Sequence, residues 1–518
     1  MSHRLAAKIT GVAGYVPPKV MTNADLEKIV ETNDEWIRTR TGIRERHIVE
    51  NGMATSHMAT EAAKAVLAQT KTDPTEIDLI VLASVTPDMF FPATACLVQE
   101  RIGAKKAWGF DLSAACSGFA YALTVAAHPA GALLGGYDLR VYHDAGLITR
   151  HHSATLYSWQ LAPGIRFTYT PFAALLFAAA TVLPWIALKW IMAGASILAL
   201  AATVWMTFGA LGWPGRARLG IVCAIGAVTF WTEPVQRTLH LGQVELLLMV
   251  LVVWDLRQPS RRWWQGAGIG LAAGIKLVPL IFIPYLVLTG RFRQATVAVT
   301  AFAVTVAAGW AVLPAASAAW WLGPDFLRAG RTGFVGFVAN QSLRGVITRL
   351  AGDMNAATPA WLAISAATFV LGLTAAALLH HSGRPAPGWA ACALTGLLVS
   401  PVSWDHHWVW IAPILAVLAD QAVRARGVAR WSGWALLATV ALLFGAWPSL
   451  WRSHAPLVPW GLIWYAPGTH AAAYSHVRPS EYHWHGLALL AGNGYILAGL
   501  VLFAMMVGSA ALAWRPGR

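Results

Sequence analysis

From Pro171 onward the sequence consists mainly of long apolar stretches, more than the interior of a soluble fold could bury. A full-length stretch of about 20 residues, at 1.5 Å per residue, matches the hydrocarbon layer of a bilayer. The stretches lie near 190–211, 219–232, 236–254, 293–314, 359–379, 389–402, 406–419, 431–447 and 487–512. Two further segments, 171–188 and 263–290, are interrupted by Pro or Gly. The sequence therefore predicts a mainly α-helical, polytopic membrane bundle with about 10–11 membrane segments.

The charged residues divide the chain in the same way. Residues 1–127 hold 13 of the 38 Lys and Arg and 14 of the 24 Asp and Glu, so residues 128–518 hold 25 basic and 10 acidic groups, a net charge of +15. The basic residues form small clusters between apolar stretches, as the positive-inside rule expects of cytoplasmic loops. The clusters are Arg257/Arg261/Arg262, Arg291/Arg293, Arg384, Arg424/Arg426/Arg430 and Arg515/Arg518. This spacing predicts a multi-pass plasma-membrane protein and no nucleic-acid partner.

Residues 1–127 have the composition of a soluble protein and alternate strands with helices, which indicates an α/β unit. Strands are predicted over 77–84 and 107–112, each after a helix. Cys116 follows the second strand near a helix N-terminus, where the helix dipole favours the reactive thiolate. The alternative interpretation of this residue alone is a small cysteine that packs in the core.

The first unit resembles β-ketoacyl-acyl-carrier-protein synthase III from about Lys8 to Ala127. Residues 34–47, 91–96 and 111–119 carry the resemblance. It implies a truncated α/β thiolase-like half-domain in which Cys116 is the acylated nucleophile, Trp36 and Arg40 face the coenzyme A nucleotide, and Phe91 lies at the acyl pocket. That family completes its site with a His and an Asn from the second half of its fold. Their segments, His-Gln-Ala-Asn and Gly-Asn-Thr-Ser, do not occur in this sequence, so we expect no condensing activity.

Polar clusters interrupt the apolar part at several predicted helix ends. They lie at 136–146, 239–245, 274–279, 340–345 and 400–410. For any single cluster the alternative interpretation is an interfacial cap or a packing role. Ionisable residues at membrane depth are costly and usually functional, however, so the clusters together predict a site.

Residues 128–518 resemble the actinobacterial membrane α-mannosyltransferases, which are polyprenyl-phosphomannose-dependent enzymes of the GT-C class. The clusters above carry the resemblance, together with residues 169–172. It implies transfer of mannose from polyprenyl-phosphate-mannose to a lipid-linked lipoglycan acceptor, in α-1,2 linkage, at the outer face of the membrane. It implies no cofactor, with the lipid donor, the lipid-linked acceptor and membrane lipids as partners. No oligomeric state follows from it.

The resemblance also implies residue roles. Asp138 is expected to be the general base, because GT-C enzymes use an aspartate in the first outer loop, and Asp144 is the reserve. A lipid-phosphate leaving group needs fixed positive charge and hydrogen-bond donors, not necessarily a metal. The expected substrate-binding residues are Tyr142, Gln243, Lys276, Asn340, Gln341, Arg344, Trp404, His406 and His407. No metal site is predicted, because adjacent His406 and His407 would point about 100° apart on a helix.

The predicted organisation is a truncated thiolase-fold fragment over 1–127, an outer catalytic loop over 128–170 and a transmembrane GT-C-like bundle over 171–518. Enzymes of this class normally begin with a transmembrane helix immediately before the catalytic loop, and here the synthase-like unit occupies that place. Two alternatives to sugar transfer therefore stay open. One is a synthase III-like acyltransferase fused to a membrane anchor, and the other is a fusion product inactive in both halves.

Overall fold

The chain separates into two compact units, Met1–Ala132 and Leu133–Arg518. The sequence-based boundary at 127 lies five residues before this division. In the computed structural model, the described residues are 9–89, 91–119, 122–123, 136–162, 165–258, 262–323, 333–447, 461–466 and 480–513. The predicted boundary after Ala127 lies within residues 124–135, which are outside these ranges.

In the N-terminal unit, the described residues form two separate pairs of strands. Lys19–Thr22 pairs antiparallel with Glu45–Ile48, and Leu79–Ala83 pairs parallel with Trp108–Leu112. Its α-helices are Asn23–Leu26, Asp34–Thr41, Thr55–Thr70 and Thr94–Ile102. The parallel pair, preceded on each strand by a helix, confirms the predicted α/β character of this unit.

The core of the N-terminal unit is small. Its fully buried apolar cluster is Leu82, Ala95 and Val98. The aromatic rings of Phe91 and Phe119, by contrast, are 89% and 73% exposed. A complete α/β domain would cover such apolar side chains with a further layer. Their exposure is what we expect of a half-domain, which lacks that layer.

The C-terminal unit is a bundle of helices, as predicted for a polytopic membrane protein. Among the described residues, four helices are long and apolar enough to cross a membrane: Trp185–Ala210, Phe292–Val312, Met354–His381 and Gly494–Ala513. Glu233–Leu241 and Glu245–Arg257 make a fifth span if this bent pair is counted together. Shorter apolar helices are Pro171–Ala180, Arg218–Phe230, Val278–Leu288, Pro385–Val399 and Val428–Leu443. The predicted 10–11 segments therefore include several helices that are too short to cross alone.

The other α-helices of this unit are shorter or more polar. They are Tyr137–His151, Ala267–Ile275, Pro314–Trp321, Leu343–Ala351, Ile411–Arg424 and Gly486–Gly492. We call Tyr137–His151 the loop helix and Trp185–Ala210 the long helix. The loop helix begins after Gly136, whose φ of +65° favours glycine.

Three breaks in the helices bring irregular backbone together inside the bundle. Glu233–Leu241 and Glu245–Arg257 meet at 117° around Gly242, which has a φ of +70°. Ala267–Ile275 ends at Lys276, and a 3-10 turn, Asp405–Trp410, precedes Ile411–Arg424. Non-helical backbone at membrane depth is tolerated where it lines a cavity or is enclosed by protein. Such breaks are also where transporters place substrate sites.

Candidate active site

The first component of the site is Asp138, in the first turn of the loop helix. The Gly136 amide before it donates to the backbone oxygen of His240 at 2.7 Å, which fixes the start of the helix. Leu139, Val141 and Tyr142 face the interior and are buried. Asp138 itself is partly exposed, with one carboxylate oxygen directed at Gln243.

Gln243 holds the carboxylate of Asp138 in place. Its amide nitrogen donates to Asp138 Oδ2 at 2.6 Å. Its amide oxygen accepts from the hydroxyl groups of Tyr142 and Tyr169, the latter at 2.8 Å. Because an ionised carboxylate can only accept, whereas a phenol can also donate, the NH₂ end faces Asp138 and the amide oxygen faces the two phenols. Gln243 therefore has a single orientation, and it donates to the carboxylate.

The protonation of the two phenols supports this arrangement. Burial raises the pKa of Tyr169 to about 12, and burial also raises the pKa of Tyr142 well above its ordinary value. Both hydroxyls therefore stay protonated near neutral pH and remain donors. The rings of the two tyrosines pack edge to face, with centroids 5.0 Å apart.

Lys276 is the centre of the second part of the site. Its ammonium donates to Glu245 Oε1, lies 2.9 Å from His407 Nε2, and donates to the Tyr169 hydroxyl at 3.4 Å. Tyr169 therefore connects Lys276 to Gln243 and, through it, to Asp138. The Lys276 side chain is 17% exposed, so one carboxylate and one imidazole largely replace its water.

A third, buried part of the site contains two carboxyl groups, Glu233 and Asp405. Trp464 Nε1 donates to both, at 3.3 Å to Glu233 and 3.1 Å to Asp405. The Tyr495 hydroxyl donates to Glu233 at 2.9 Å. Arg237 Nε lies 3.7 Å from Asp405 Oδ2. These contacts join the bent helix pair to the last apolar helix.

Asp405 also orients the neighbouring imidazole. His406 Nδ1 lies 3.2 Å from Asp405 Oδ1, so Nδ1 carries the hydrogen that faces the carboxylate. His406 is 6% exposed, and its other nitrogen, Nε2, has no hydrogen-bond partner among the described residues. This atom is therefore a buried polar group that the described residues leave without a hydrogen bond.

Burial, more than the charges around it, sets the basicity of Asp138. Burial raises the pKa of the Asp138 carboxyl, and the opposing effects of His406 and the Gln243 hydrogen bond are smaller. Arg237 and Lys276 also lower this pKa, which places both within electrostatic range of the carboxylate. A carboxylate with a raised pKa is a stronger proton acceptor than one in water.

Two predicted substrate-binding residues, Asn340 and Gln341, are fully buried. Asn340 bonds to the backbone of Val335, Pro401 and Ser403. Gln341 bonds to the backbone of three other residues. These are Val338, Gly492 and Ile496. Both side chains connect chain segments, and their role toward a substrate stays a prediction.

Three other predicted residues have different surroundings. The Arg344 guanidinium stacks over the Trp361 ring at 4.4 Å and has no contact with Asp138 or Lys276 among the described residues. Trp404 is partly exposed and immediately precedes the 3-10 turn that carries the two histidines. Asp144 is bonded to Arg140 at 3.0 Å, one helical turn away. Its carboxylate is thus already paired, unlike that of Asp138.

Glu245, His406 and His407 are the one group among the described residues whose donor atoms could share a metal ion, since they lie within 4.8 Å of one another. The two imidazole rings are edge to face, with centroids 4.7 Å apart. They lie in a 3-10 turn and not on the regular α-helix that the sequence analysis assumed. Lys276, however, bonds to both Glu245 and His407 and already supplies positive charge there. The absence of a metal site stays a prediction.

Several site residues were not singled out by the sequence analysis: Tyr169, Glu233, Arg237, Glu245, Asp405, Trp464 and Tyr495. Glu245 and Asp405 stood inside the polar clusters and Tyr169 in the segment 169–172, so these segments were the signal for them. Glu233 is a carboxyl group between two apolar stretches, which is itself a functional indication in a membrane protein. Trp464 and Tyr495 had no local signal.

In the N-terminal unit, the predicted acyltransferase residues lie at the surface. Cys116 is exposed, in the 3-10 turn Ala115–Ser117 that follows the last strand. The Arg40 guanidinium stacks over the Trp36 ring at 4.6 Å. Their roles toward coenzyme A stay predictions.

Comparison with known proteins separates the chain in the same way. The sequence model of Glycosyltransferase family 87 matches residues 167–401. The polyprenol-phosphate-mannose-dependent alpha-(1-2)-phosphatidylinositol pentamannoside mannosyltransferase of Mycobacterium tuberculosis is 36% identical over 343 residues, which cover 63% of this chain and 77% of that protein. The matched family region contains Gln243, Lys276 and the bent helix pair.

The N-terminal unit is similar to β-ketoacyl-[acyl-carrier-protein] synthase III. The enzyme of Solibacter usitatus is 64% identical over 122 residues, 24% of this chain and 37% of that protein. The crystal structure of the Aquifex aeolicus synthase is 55% identical and covers 23% of this chain and 38% of that one, with a TM-score of 0.22. The chain thus spans less than two-fifths of the length of these synthases.

Proposed function

Because this chain belongs to glycosyltransferase family 87, we propose that it is a membrane enzyme that transfers mannose from polyprenyl-phosphate-mannose to a lipid-linked lipoglycan, in α-1,2 linkage. The observation that carries the proposal is the position of Asp138, held by Gln243 beside a group of basic side chains. The similarity to the mycobacterial enzyme, a polyprenol-phosphate-mannose-dependent alpha-(1-2)-mannosyltransferase, supports this choice of donor, linkage and acceptor.

Asp138 is the general base in this proposal. An acceptor hydroxyl attacks the anomeric carbon of mannose, the bond between that carbon and the phosphate oxygen breaks, and the polyprenyl phosphate leaves. The hydroxyl proton passes to Asp138. Its raised pKa favours the transfer. Gln243 keeps the accepting oxygen in position without competing for the proton.

Lys276 and His406 stabilise the departing phosphate. Lys276 is a fixed cation connected to Asp138 through Tyr169 and Gln243. His406 Nε2 is buried and has no hydrogen-bond partner among the described residues, so this ring nitrogen is the second group assigned to the phosphate. Positive charge and donors aimed at a leaving group are worth more in a site that excludes water.

The outer face of the membrane is the proposed location of the site. The arginine clusters at Arg291/Arg293, Arg384 and Arg424/Arg426/Arg430 support this location, because the positive-inside rule expects them at cytoplasmic helix ends. The loop helix and Trp404 would then belong to the opposite side. Trp404, partly exposed beside the histidines, offers an aromatic surface to the sugar.

Membranes containing the full-length chain test the substrate assignment. They are incubated with a lipid acceptor and either radiolabelled polyprenyl-phosphomannose or radiolabelled GDP-mannose. Label is expected in the acceptor from the lipid donor only, and an α-1,2-specific mannosidase should release it. Label from GDP-mannose with the polyprenyl-phosphate pathway blocked, or label that resists this enzyme, would contradict the donor or the linkage respectively.

A further inference from the structure

Two arginine side chains from different helices meet at Gly209, in the last turn of the long helix. Arg218 begins the helix Arg218–Phe230, and Arg257 ends the helix Glu245–Arg257. A Cβ atom at Gly209 would lie 2.7 Å from Arg257 Nη2 and 2.9 Å from Arg218 Nη1. Two atoms at these distances from one point are at most about 5.6 Å apart. Glycine at this position therefore lets the two guanidinium groups come together.

The protein holds the Arg218 guanidinium in place. Its Nε and Nη2 both donate to the backbone oxygen of Trp213, at 3.2 and 2.6 Å. Its Cζ lies 4.8 Å from the centroid of the Trp205 ring, one turn before Gly209 on the long helix. Nη1, which faces Gly209, forms no hydrogen bond with the described residues. A fixed donor is thus directed at the place where the second guanidinium lies.

The acidic side chains on the neighbouring helix ends bond to other groups. Asp255 is buried and accepts from the backbone amides of Gly266 and Ile269, at 2.7 and 3.0 Å. Asp420 accepts from Trp213 Nε1 at 2.7 Å and from Arg424 Nε at 2.6 Å.

Arg257 is exposed and forms no hydrogen bond or ion pair within the described part of the chain. The two neighbouring guanidinium groups therefore share no carboxylate. Like charges at this separation repel each other, and an anion bound to both would replace the repulsion by attraction. Guanidinium groups present several N–H donors in a planar fork, a geometry that matches the oxygens of a phosphate.

The arginine pair lies at the other end of the long helix from the loop helix. A Cβ atom at Gly136, where the loop helix starts, would lie 3.6 Å from Lys189 Cε, near the beginning of the long helix. Gly209 stands 20 residues after Lys189, which is about 30 Å at 1.5 Å per residue. That length is close to the thickness of the hydrocarbon layer of a bilayer. In the proposed orientation, with Asp138 at the outer face, the arginine pair is at the cytoplasmic surface.

Exposed apolar side chains stand beside the two arginines. Leu219, the residue after Arg218, is 61% exposed, and Trp254, one turn before Arg257, is 39% exposed. Guanidinium groups next to exposed Leu and Trp side chains are typical of the level of lipid headgroups. A phosphate bound there would belong to a lipid whose chains contact these apolar side chains.

We propose that Arg218 and Arg257 together bind the phosphate of an anionic phospholipid of the cytoplasmic leaflet. Arg218 Nη1 and Arg257 Nη2 donate to oxygens of the same phosphate, and Leu219 and Trp254 contact the lipid chains. The inference shares with the proposed function only the orientation of the chain in the membrane. It does not depend on sugar transfer.

Lipid binding to the full-length protein tests the proposal. The protein in a neutral detergent is titrated with radiolabelled phosphatidylglycerol. Arg257→Met is expected to weaken saturable binding by at least about tenfold, because it removes charge-assisted hydrogen bonds to the phosphate. Arg426→Met, which removes the same charge from another exposed position, is the matched control and should bind as the parent does. Unchanged binding to Arg257→Met, or equal losses in both variants, would overturn the proposal.

Gly209→Ala tests the geometry without changing the charge. The added methyl group would lie within 2.9 Å of both guanidinium groups and must push them apart. Binding of phosphatidylglycerol should therefore weaken, although alanine favours the helix more than glycine does. Full binding to this variant would contradict a site that needs the two arginines together.

Two further ligands distinguish a lipid from a free phosphate. Diacylglycerol, which lacks the phosphate, should bind equally to the parent and to Arg257→Met. Millimolar inorganic phosphate should not displace phosphatidylglycerol from the parent. Displacement by inorganic phosphate would assign the arginines to a soluble anion and overturn the lipid assignment.

Thermal unfolding separates a binding role from a structural one. Without lipid, Arg257→Met is expected to keep the unfolding temperature of the parent, because Arg257 is exposed and bonds to none of the described residues. Phosphatidylglycerol should raise this temperature more in the parent than in the variant, since a ligand stabilises the state that binds it. A lower unfolding temperature of the lipid-free variant, together with equal rises in lipid, would make Arg257 a structural residue and contradict the proposal.

Discussion

The amide nitrogen of Gln243 lies 2.6 Å from a carboxylate oxygen of Asp138, although the two residues are 105 positions apart in the sequence. The contact joins the loop helix to the break between two helices of a bent pair. Tyr142 and Tyr169 fix the other end of the amide. Gln243 thus positions Oδ2 of Asp138, and the two tyrosine hydroxyls in turn fix the amide of Gln243.

Asp138→Asn is expected to lower kcat for mannose transfer by about a hundred- to ten-thousand-fold, because the amide cannot accept the acceptor proton. The measurement is transfer of radiolabelled mannose in membranes, normalised to protein. Asp144→Asn is the matched control on the same helix. Since Asp144 is paired with Arg140 near the surface, that change should stay within about fivefold. Equal losses in both variants would show that Asp138 has no special role.

The rate of transfer should fall on the acid side of the pH profile. Asp138 acts only when ionised, and burial raises its pKa above the ordinary value of 3.8. As the pH drops through this raised pKa, the carboxylate is protonated and kcat/KM decreases, whereas at higher pH this group no longer limits the rate. An acid limb with a midpoint at or below 3.8 would contradict the assignment of the base.

Gln243→Glu should move that acid limb to higher pH. A second carboxylate at 2.6 Å replaces a donor, and a like charge raises the pKa of Asp138 further. Gln236→Glu adds the same charge on the preceding helix, where Gln236 bonds to the backbone of Phe230, and should leave the limb where it is. Equal shifts of the pH profile in both variants would mean that any added negative charge moves the limb, and that the contact between residue 243 and Asp138 is not the cause.

Lys276→Met should destabilise the protein by about 3–5 kcal/mol, because it leaves the Glu245 carboxylate buried without its cation. The double variant Lys276→Met/Glu245→Leu should recover most of this stability, since it removes both charges. It should not recover transfer, which needs the ammonium beside the phosphate. The measurements are unfolding in detergent and initial rates; full activity in the double variant would remove Lys276 from the mechanism.

Cys116→Ala is expected to leave mannose transfer unchanged. Every group in the proposed mechanism belongs to the unit Leu133–Arg518, whereas Cys116 is an exposed residue of the other unit. The parent protein, which keeps Cys116, is treated with a thiol-reactive acyl-CoA analogue to test the synthase-like interpretation. Labelling at Cys116 that is lost in Trp36→Ala and Arg40→Ala would support a retained coenzyme A site. Labelling that does not depend on them would reflect exposure alone.

The sequence predicted the residues that stand out locally. Asp138, Gln243, Lys276 and the His406–His407 pair each interrupt an apolar context, and the cost of a polar group at that depth makes the position informative. The helical class followed from the apolar stretches for the same reason. Helix lengths were harder to predict, since Gly242 divides one apolar stretch into two helices at 117°.

The partners of these residues could not be predicted. Asn340 and Gln341 have the polarity of substrate-binding groups, yet they satisfy backbone atoms that only the folded chain brings near. Arg218 and Arg257 stand on different helices, and nothing local shows that their side chains meet at Gly209. Pairing across long separations depends on packing, which a single sequence does not encode in any short pattern.

The contacts of Glu233 have a consequence for how the protein is made. Its two oxygens accept from Trp464 and Tyr495, the latter 262 residues later in the chain. A ribosome synthesises Glu233 well before either partner, so its carboxyl has neither hydrogen bond until Trp464 and Tyr495 have been made. The site therefore cannot assemble before the helix that contains Tyr495 is in the membrane. A chain cut short before Tyr495 would expose an unsatisfied group that cellular proteases act on.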